Sequence, residues 1–331
     1  MMRAALIAFL LFGTWALSLL GGCTPNRIGN RLSRSGQEIV VAGQLFNAGT
    51  RVVLWTDPNG YDAYRVEKRF APWAESEWPS VAKNSAFTPN RYGPRKAGLT
   101  DAEFERIRGG GWSLDELRAK VDQFVMHYDV AGTSRACFHT LHDDRCLSVH
   151  FMLDIDGTIY QTLDVKERAW HATISNDRSV GIEIANIGAY ADSEKNPFSR
   201  WYTTDEHGTR LTVPARAAGG ILTPSFVGRP SRAEPVVGEI NGRKLTQYDL
   251  TPEQYAALVK LTAALHVALP RIALDCPRDT NGLPLTRTLT PEEWSSFSGV
   301  LGHFHVQANK SDPGPAFDWE RVLTGARRLA K

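Results

Sequence analysis

The chain has 331 residues, 42% hydrophobic and 22% charged, with a formal net charge of +2. This is ordinary globular composition, with enough apolar residues for one sizeable core and room for a second unit. So small a positive balance does not by itself argue for a nucleic-acid partner, and it does not exclude an anionic polymer at one cleft.

Arg3 followed by the apolar run from Ala4 to Leu20 reads as an export leader, short for a spanning helix. Leu20-Gly21-Gly22-Cys23 follows directly and resembles a bacterial lipobox. Residues 1–22 are therefore expected to be a lipoprotein signal peptide and Cys23 the lipidated residue; a plain signal peptide with an incidental cysteine is the alternative. Acyl chains hold a protein on a membrane through about 0.8 kcal/mol per buried CH₂. The expected location is outside the cytoplasm, lipid-anchored on the periplasmic side, with Thr24 after the cysteine favouring the outer membrane. Residues 23–36 are polar and basic and read as a tether.

Residues 37–100 read as a β-rich N-terminal extension. Ile39-Val40-Val41 and Arg51 to Trp55 are strand-like, Asn59-Gly60 is a turn signal, and 71–100 carries scattered Pro and Trp without a period. A second unit is expected over 101–331. Thr100 with Glu103 and Ser113 with Glu116 are capping boxes around Gly109-Gly110-Gly111. A helix over 114–120 feeds strands at 123–128, 148–154, 158–161 and 179–186. Thr251-Pro-Glu-Gln254 opens a helix to about Leu269 with Leu258, Leu261 and Leu265 on its apolar face, Thr290-Pro-Glu-Glu293 opens another, and 317–329 reads as a last helix. Strands alternating with helices imply an α/β fold, a central mixed sheet flanked by helices. Between about 188 and 248 the pattern breaks, and so long a stretch without period reads as a functional insertion or as partly disordered chain.

Four cysteines are present: Cys23, Cys137, Cys146 and Cys276. Export places them in an oxidising compartment. Cys137 and Cys146 lie close in the polar stretch CFHTLHDDRC, so a disulfide between them is the simplest expectation, contributing roughly 2–3 kcal/mol in the chain-entropy model. A metal cluster of Cys137, His139, His142 and Cys146 is the alternative.

The residues that carry chemistry lie elsewhere. His127 ends an apolar strand, His303 sits in Gly302-His-Phe-His305, and Asp312 sits in Lys310-Ser-Asp-Pro-Gly-Pro. A catalytic zinc takes three protein ligands and leaves one position open, and one distant ligand plus two near neighbours can supply such a site. Any one of these histidines alone is more often a core or surface group.

Several phrases occur in order: Val125-Met-His127-Tyr, Ser148-Val-His150 through Gly157-Thr-Ile-Tyr160-Gln, Ala169-Trp170-His171-Ala172, Asn176, then Ser179-Val-Gly-Ile-Glu183-Ile-Ala-Asn186, Gly302-His303, and Lys310-Ser-Asp312 to Trp319. Together they resemble the type 2 N-acetylmuramoyl-L-alanine amidases, which include peptidoglycan recognition proteins and phage lysozyme-type amidases. The likeness spans roughly residues 120–187 and 250–320. It implies hydrolysis of the amide joining N-acetylmuramic acid to L-alanine in peptidoglycan or muropeptides, with zinc as cofactor and His127, His303 and Asp312 as its ligands. It also suggests Glu183 and Lys310 as catalytic groups, and strand alternation sets Glu183 opposite the Val180, Ile182, Ile184 face. His150, Trp170 and His171 are expected at the substrate or supporting the site. His305 departs from the acidic residue common at that place, which leaves it open as a competing ligand. A non-catalytic wall-binding module of the same fold is the second reading, told apart by whether the zinc-loaded protein cleaves muropeptides. A cysteine hydrolase is the third, told apart by sensitivity to thiol alkylation.

Overall fold

The computed structural model describes residues 28–30, 32–76 and 91–331, so the expected leader and Cys23 lie outside it. The capping boxes form as the sequence predicts. Thr100, Ser113, Thr251 and Thr290 each accept from the backbone N–H three residues on, while the Glu or Gln there closes back onto the cap. Each such cap satisfies N–H groups the helix leaves orphaned, at about 1 kcal/mol per cap. The resulting helices are Asp101–Ile107, Leu114–Lys120, Pro252–Ala268 and Pro291–Ser296. Among the described residues no helix is long and apolar enough to cross a membrane.

The central sheet has six strands in the order Gly299–Gly302, Gln123–Tyr128, Ser179–Ile184, Phe151–Leu153, Ile159–Gln161, Val52–Leu54. Neighbours run parallel except Phe151–Leu153 with Ile159–Gln161, a tight antiparallel pair turned through Asp156-Gly157. The sheet is therefore mixed. Its N-terminal edge strand comes from the 37–100 extension, whose Ile39 and Val41 join the same buried cluster as the rest.

One face of the sheet is closed. Phe124, Met126, Val180, Ile182, Ile184, Phe151 and Leu153 are fully buried against Leu258, Leu261 and Leu265 of the Pro252–Ala268 helix, with Val322 and Leu323 of the Trp319–Leu329 helix in the same cluster. Each such side chain contributes roughly 1.5–3 kcal/mol relative to exposure. Alternation along the strands then forces His127, Gly181 and Glu183 onto the opposite face. That face is only partly covered, by the helix Ser134–Phe138, which runs into a π-helical turn His139–Asp144.

This helical run corrects the cysteine expectation. Cys137 and Cys146 are separate buried thiols, not a disulfide. Cys137 is on the helix, with Glu183, Asp129, Asp154 and Arg145 among the charges that act on it, whereas Arg91, Lys68 and Asp143 act on Cys146 beyond the π turn. A polar loop could have doubled back to close the bridge; a helix carries the two sulfurs into different surroundings. Nor do the four residues of the alternative cluster gather, since the one group of three or more metal-binding side chains among the described residues lies elsewhere.

The 188–248 stretch is ordered. Ala189–Tyr190 pairs with Arg243–Gln247, which forms a hairpin with Val236–Ile240, and Tyr202–Asp205 pairs with Gly208–Leu211. Its own small core holds Ile187, Trp201, Tyr202 and Ala217. The helical and strand periods are absent from this sequence because each segment is too short to repeat one.

Candidate active site

The parallel register builds the site. His127 lies beside Glu183 across one strand pair, and Gly302 lies beside Met126 across the other, so His303 emerges next to His127. Gly302 has no room for a side chain: a Cβ there would meet Pro313 Cδ at 2.7 Å and the Phe304 ring at 2.8 Å. That close approach folds the following loop back over the strand end. The Phe304 N–H donates to the Asp312 carbonyl at 3.2 Å and fixes the return of Asp312 to His303.

Three donor atoms converge. His127 Nδ1 is 3.0 Å from His303 Nδ1 and 2.8 Å from Asp312 Oδ2, and His303 Nδ1 is 2.9 Å from the same oxygen. Metal bonds of roughly 2.0–2.1 Å at tetrahedral angles set donors about 3.3 Å apart, close to this triangle. These side chains are the one group of three or more potential metal ligands among the described residues, and all three are buried.

The protons around them fit a cation. His303 Nε2 lies 2.6 Å from Gln307 Oε1, which can only accept, so the proton sits on Nε2 and Nδ1 turns a lone pair inward. His127 Nε2 lies 3.0 Å from His171 Nδ1, and His171 Nε2 lies 3.2 Å from the Ser179 hydroxyl. With each Nε2 carrying the proton the relay runs His127 to His171 to Ser179, and His127 Nδ1 also faces inward unprotonated. Burial is the largest influence that pushes His127 down to about 4, so its ring is neutral at pH 7. Burial alone would push the Asp312 carboxyl up, but His303 and His127 outweigh it and hold it well below the usual carboxylate range. Two inward lone pairs and a carboxylate at 3 Å repel one another unless a cation lies between them.

A family model for N-acetylmuramoyl-L-alanine amidase (Amidase_2) matches residues 117–315, well over half of the chain. The chain belongs to the N-acetylmuramoyl-L-alanine amidase family. Similar solved structures include a selenomethionine derivative of AmpD (18% identity, 63% of this chain and 86% of that one, TM-score 0.30). Another is AmiD from E. coli, in complex with anhydro-N-acetylmuramic acid-L-Ala-D-gamma-Glu-L-Lys (18% identity, 62% and 57% covered, TM-score 0.35). A third is the endolysin LysCS from Clostridium intestinale URNW (16% identity, 65% and 88% covered, TM-score 0.33). No curated protein sequence matches the chain.

The donor triangle of this amidase opens into a cleft of about 180 Å³, which Glu183, Lys310, Trp170 and His171 also line. The Glu183 carboxyl has no hydrogen-bond partner among the described residues. Burial and the nearby Asp312 charge push it well above the usual carboxylate range. His171 is held against the sheet by Gly181, where a Cβ would sit 2.5 Å from its ring. Gly181→Ala is therefore expected to displace the His171 relay and cost roughly 1–3 kcal/mol of stability, measured by urea unfolding; an unchanged midpoint would show that the ring yields freely.

Two of the expected site histidines are structural. His150 is fully buried and outside the cleft lining: its Nδ1 accepts from the Gly181 N–H at 3.1 Å and its Nε2 donates to the Glu167 carbonyl at 2.9 Å. It supports the Gly181 strand, the second of the two roles expected for it, and does not line the cleft. His305 accepts the Gly302 N–H at 2.9 Å and donates to the Leu285 carbonyl at 2.9 Å, which leaves no nitrogen for a metal. Conversely, Gln307 and Arg145 do not stand out in the sequence. Gln307 follows His303 by one helical turn, a spacing that could reveal it. Arg145 sits beside Cys146 in the stretch whose composition suggests a disulfide loop; its exposed side chain lines the same cleft.

Proposed function

We propose that this amidase binds one zinc ion through His127 Nδ1, His303 Nδ1 and Asp312 Oδ2. There it hydrolyses the amide between the lactyl group of N-acetylmuramic acid and L-alanine in peptidoglycan or its fragments. The observation that carries the reading is the convergence of those three donors within 4.8 Å of one another, in a cleft they share with Glu183 and Lys310. Zinc held there supplies Lewis acidity to the scissile carbonyl and to the attacking water. Every other task falls to the chain. Glu183, with no hydrogen-bond partner among the described residues and its pKa raised by burial, takes a proton from the water and returns it to the departing L-alanine nitrogen. Lys310 brings an ammonium to the same cleft, where it stabilises negative charge growing on the carbonyl oxygen. His171 and Gln307 keep the two imidazoles in the tautomer that faces the ion. Trp170 presents an apolar wall to the substrate, and Arg145 offers a guanidinium at the rim for a carboxylate of the stem peptide.

We further propose that the protein is exported, cleaved before Cys23 and lipid-anchored on the periplasmic side of the outer membrane. The lipobox-like Leu20-Gly-Gly-Cys23 and the polar tether after it support this. Such a location suits wall turnover.

The test is mass spectrometry of muropeptides incubated with the purified protein, with and without a chelator. Release of a peptide with a free L-alanine amino terminus, lost on chelation and restored by zinc, is the expected result. A zinc-loaded sample that leaves muropeptides intact would instead make the protein a wall-binding module. Gln307→Leu removes the acceptor that orients His303, and should weaken zinc binding roughly 10- to 100-fold in a competition titration; wild-type affinity would show that the tautomer is set by other means.

A further inference from the structure

The cleft is not the largest cavity. A second one, of about 600 Å³, shares no lining residue with it. All of its lining residues except Asp164, Lys166 and Glu167 precede residue 117, where the family match begins. The cavity is thus built mainly by what this chain adds to the amidase domain.

Its walls are of two kinds. Trp55, Tyr64 and Tyr92 form a run of contacting rings, the first pair 5.5 Å apart and tilted by 51°, the second 4.8 Å apart and edge-to-face at 67°. All three are partly exposed. Trp112 lies in the same lining, and its buried indole N–H has no acceptor among the described residues. The polar wall is Asp164, Lys166 and Glu167. Asp164 is tied down by the N–H groups of Ala42, Gly43 and Lys166. Glu167 accepts the Tyr64 hydroxyl at 3.3 Å on Oε1, and its Oε2 has no partner among the described residues.

This mixture selects by charge. Two carboxylates disfavour an anion, and the Lys166 ammonium in the same wall disfavours a cation. Aromatic faces joined to hydrogen-bonding groups of both kinds suit a neutral, polyhydroxylated ring, whose C–H face packs on the aromatics while its hydroxyls and amides meet the polar wall. The position fits as well. Asp164 to Glu167 line the cavity and Trp170 and His171 line the cleft. At no more than about 3.3 Å per residue, the three or four residues from Glu167 to Trp170 and His171 keep the two within roughly 10–13 Å.

We propose that this cavity, built around Trp55, Tyr64 and Tyr92 with Asp164 and Glu167, binds N-acetylated sugar units of the glycan strand, beside the cleft that cuts the peptide from it. The proposal rests on the amidase reading for its choice of glycan, but its test does not. Chitotetraose, an N-acetylated glycan with no peptide and no scissile lactyl amide, is titrated into the full-length protein by calorimetry and by tryptophan fluorescence. Saturable binding is expected. Trp55→Ala should weaken it about tenfold or more, Trp55→Phe should restore most of it, and Asp312→Ala should leave it unchanged. Thermal melts of each variant separate loss of binding from loss of fold. No binding to wild type, equal binding to a folded Trp55→Ala, or loss of binding in a folded Asp312→Ala would each overturn the proposal. So would preferential binding of a tetraalkylammonium ion, which would make the cavity a cation cage. If chitotetraose binds as expected and muropeptides are not cleaved, the amidase reading fails while this one stands.

Discussion

Asp312→Ala is expected to empty the site of zinc and abolish muropeptide cleavage while leaving the fold intact. Binding of such an ion is worth on the order of 10 kcal/mol. Losing one of three protein donors then costs roughly 3–4 kcal/mol, a few-hundred-fold in affinity. The loss goes further than counting donors, because Asp312 Oδ2 is the atom that lies within 2.9 Å of both imidazole nitrogens and carries the only full negative charge in the triangle. Without it, two neutral rings remain, too weak a set to compete with buffer. The measurement is metal content by mass spectrometry after dialysis, paired with the cleavage assay and a thermal melt. Asp312→Ala with full zinc and wild-type turnover would remove the carboxylate from the ligand set and, with it, the metal mechanism.

Glu183→Ala is expected to do the opposite, keeping zinc and losing turnover. General acid–base catalysis by a positioned side chain contributes typically about 10²- to 10⁴-fold, and the loss should fall in that range on kcat with little change in KM. Glu183 is suited to the task by its strand neighbours rather than by local sequence. The His127 strand sits on one side and Met152 on the other, and the carboxyl lines the cleft with no hydrogen-bond partner among the described residues. Glu183→Gln tests the charge with less change of shape and should be equally impaired. If both variants turn over normally, the proton is moved by another group.

Much of the fold and of the site is legible in the order of residues alone. The strand at 123–128 and the helix at 114–120 are found where period and capping predict them, because both are long enough to show alternation or a closed capping box. The donor triangle is reachable from residue type and family likeness, and the alternation of Val180 to Ile184 predicts which way Glu183 faces. What sequence does not convey is which histidine nitrogens are already occupied. His150 and His305 read as candidates because an imidazole looks the same whether it meets a ligand or a backbone amide; only the folded backbone around them shows that both their nitrogens are taken. The cysteine pairing fails for a different reason. A polar, histidine-rich stretch reads as loop, yet Thr133 caps it through the Ala136 N–H and it winds into helix. The insertion is opaque because its strands are two to five residues long, below the length at which a period can be recognised.

The parallel pairing of Gly299–Gly302 with Gln123–Tyr128 has a consequence for timing. His127 waits on one strand, while both of its partner donors arrive with a segment more than 170 positions later. The proposed zinc site is not complete without that segment, so on that reading metal capture waits until the distant edge docks. Pairings across such separations are slow to form, since the loop entropy is spent before any contact rewards it. On the proposed mechanism, zinc uptake then marks the closing stage of folding, and the amidase stays inert until its sheet is finished.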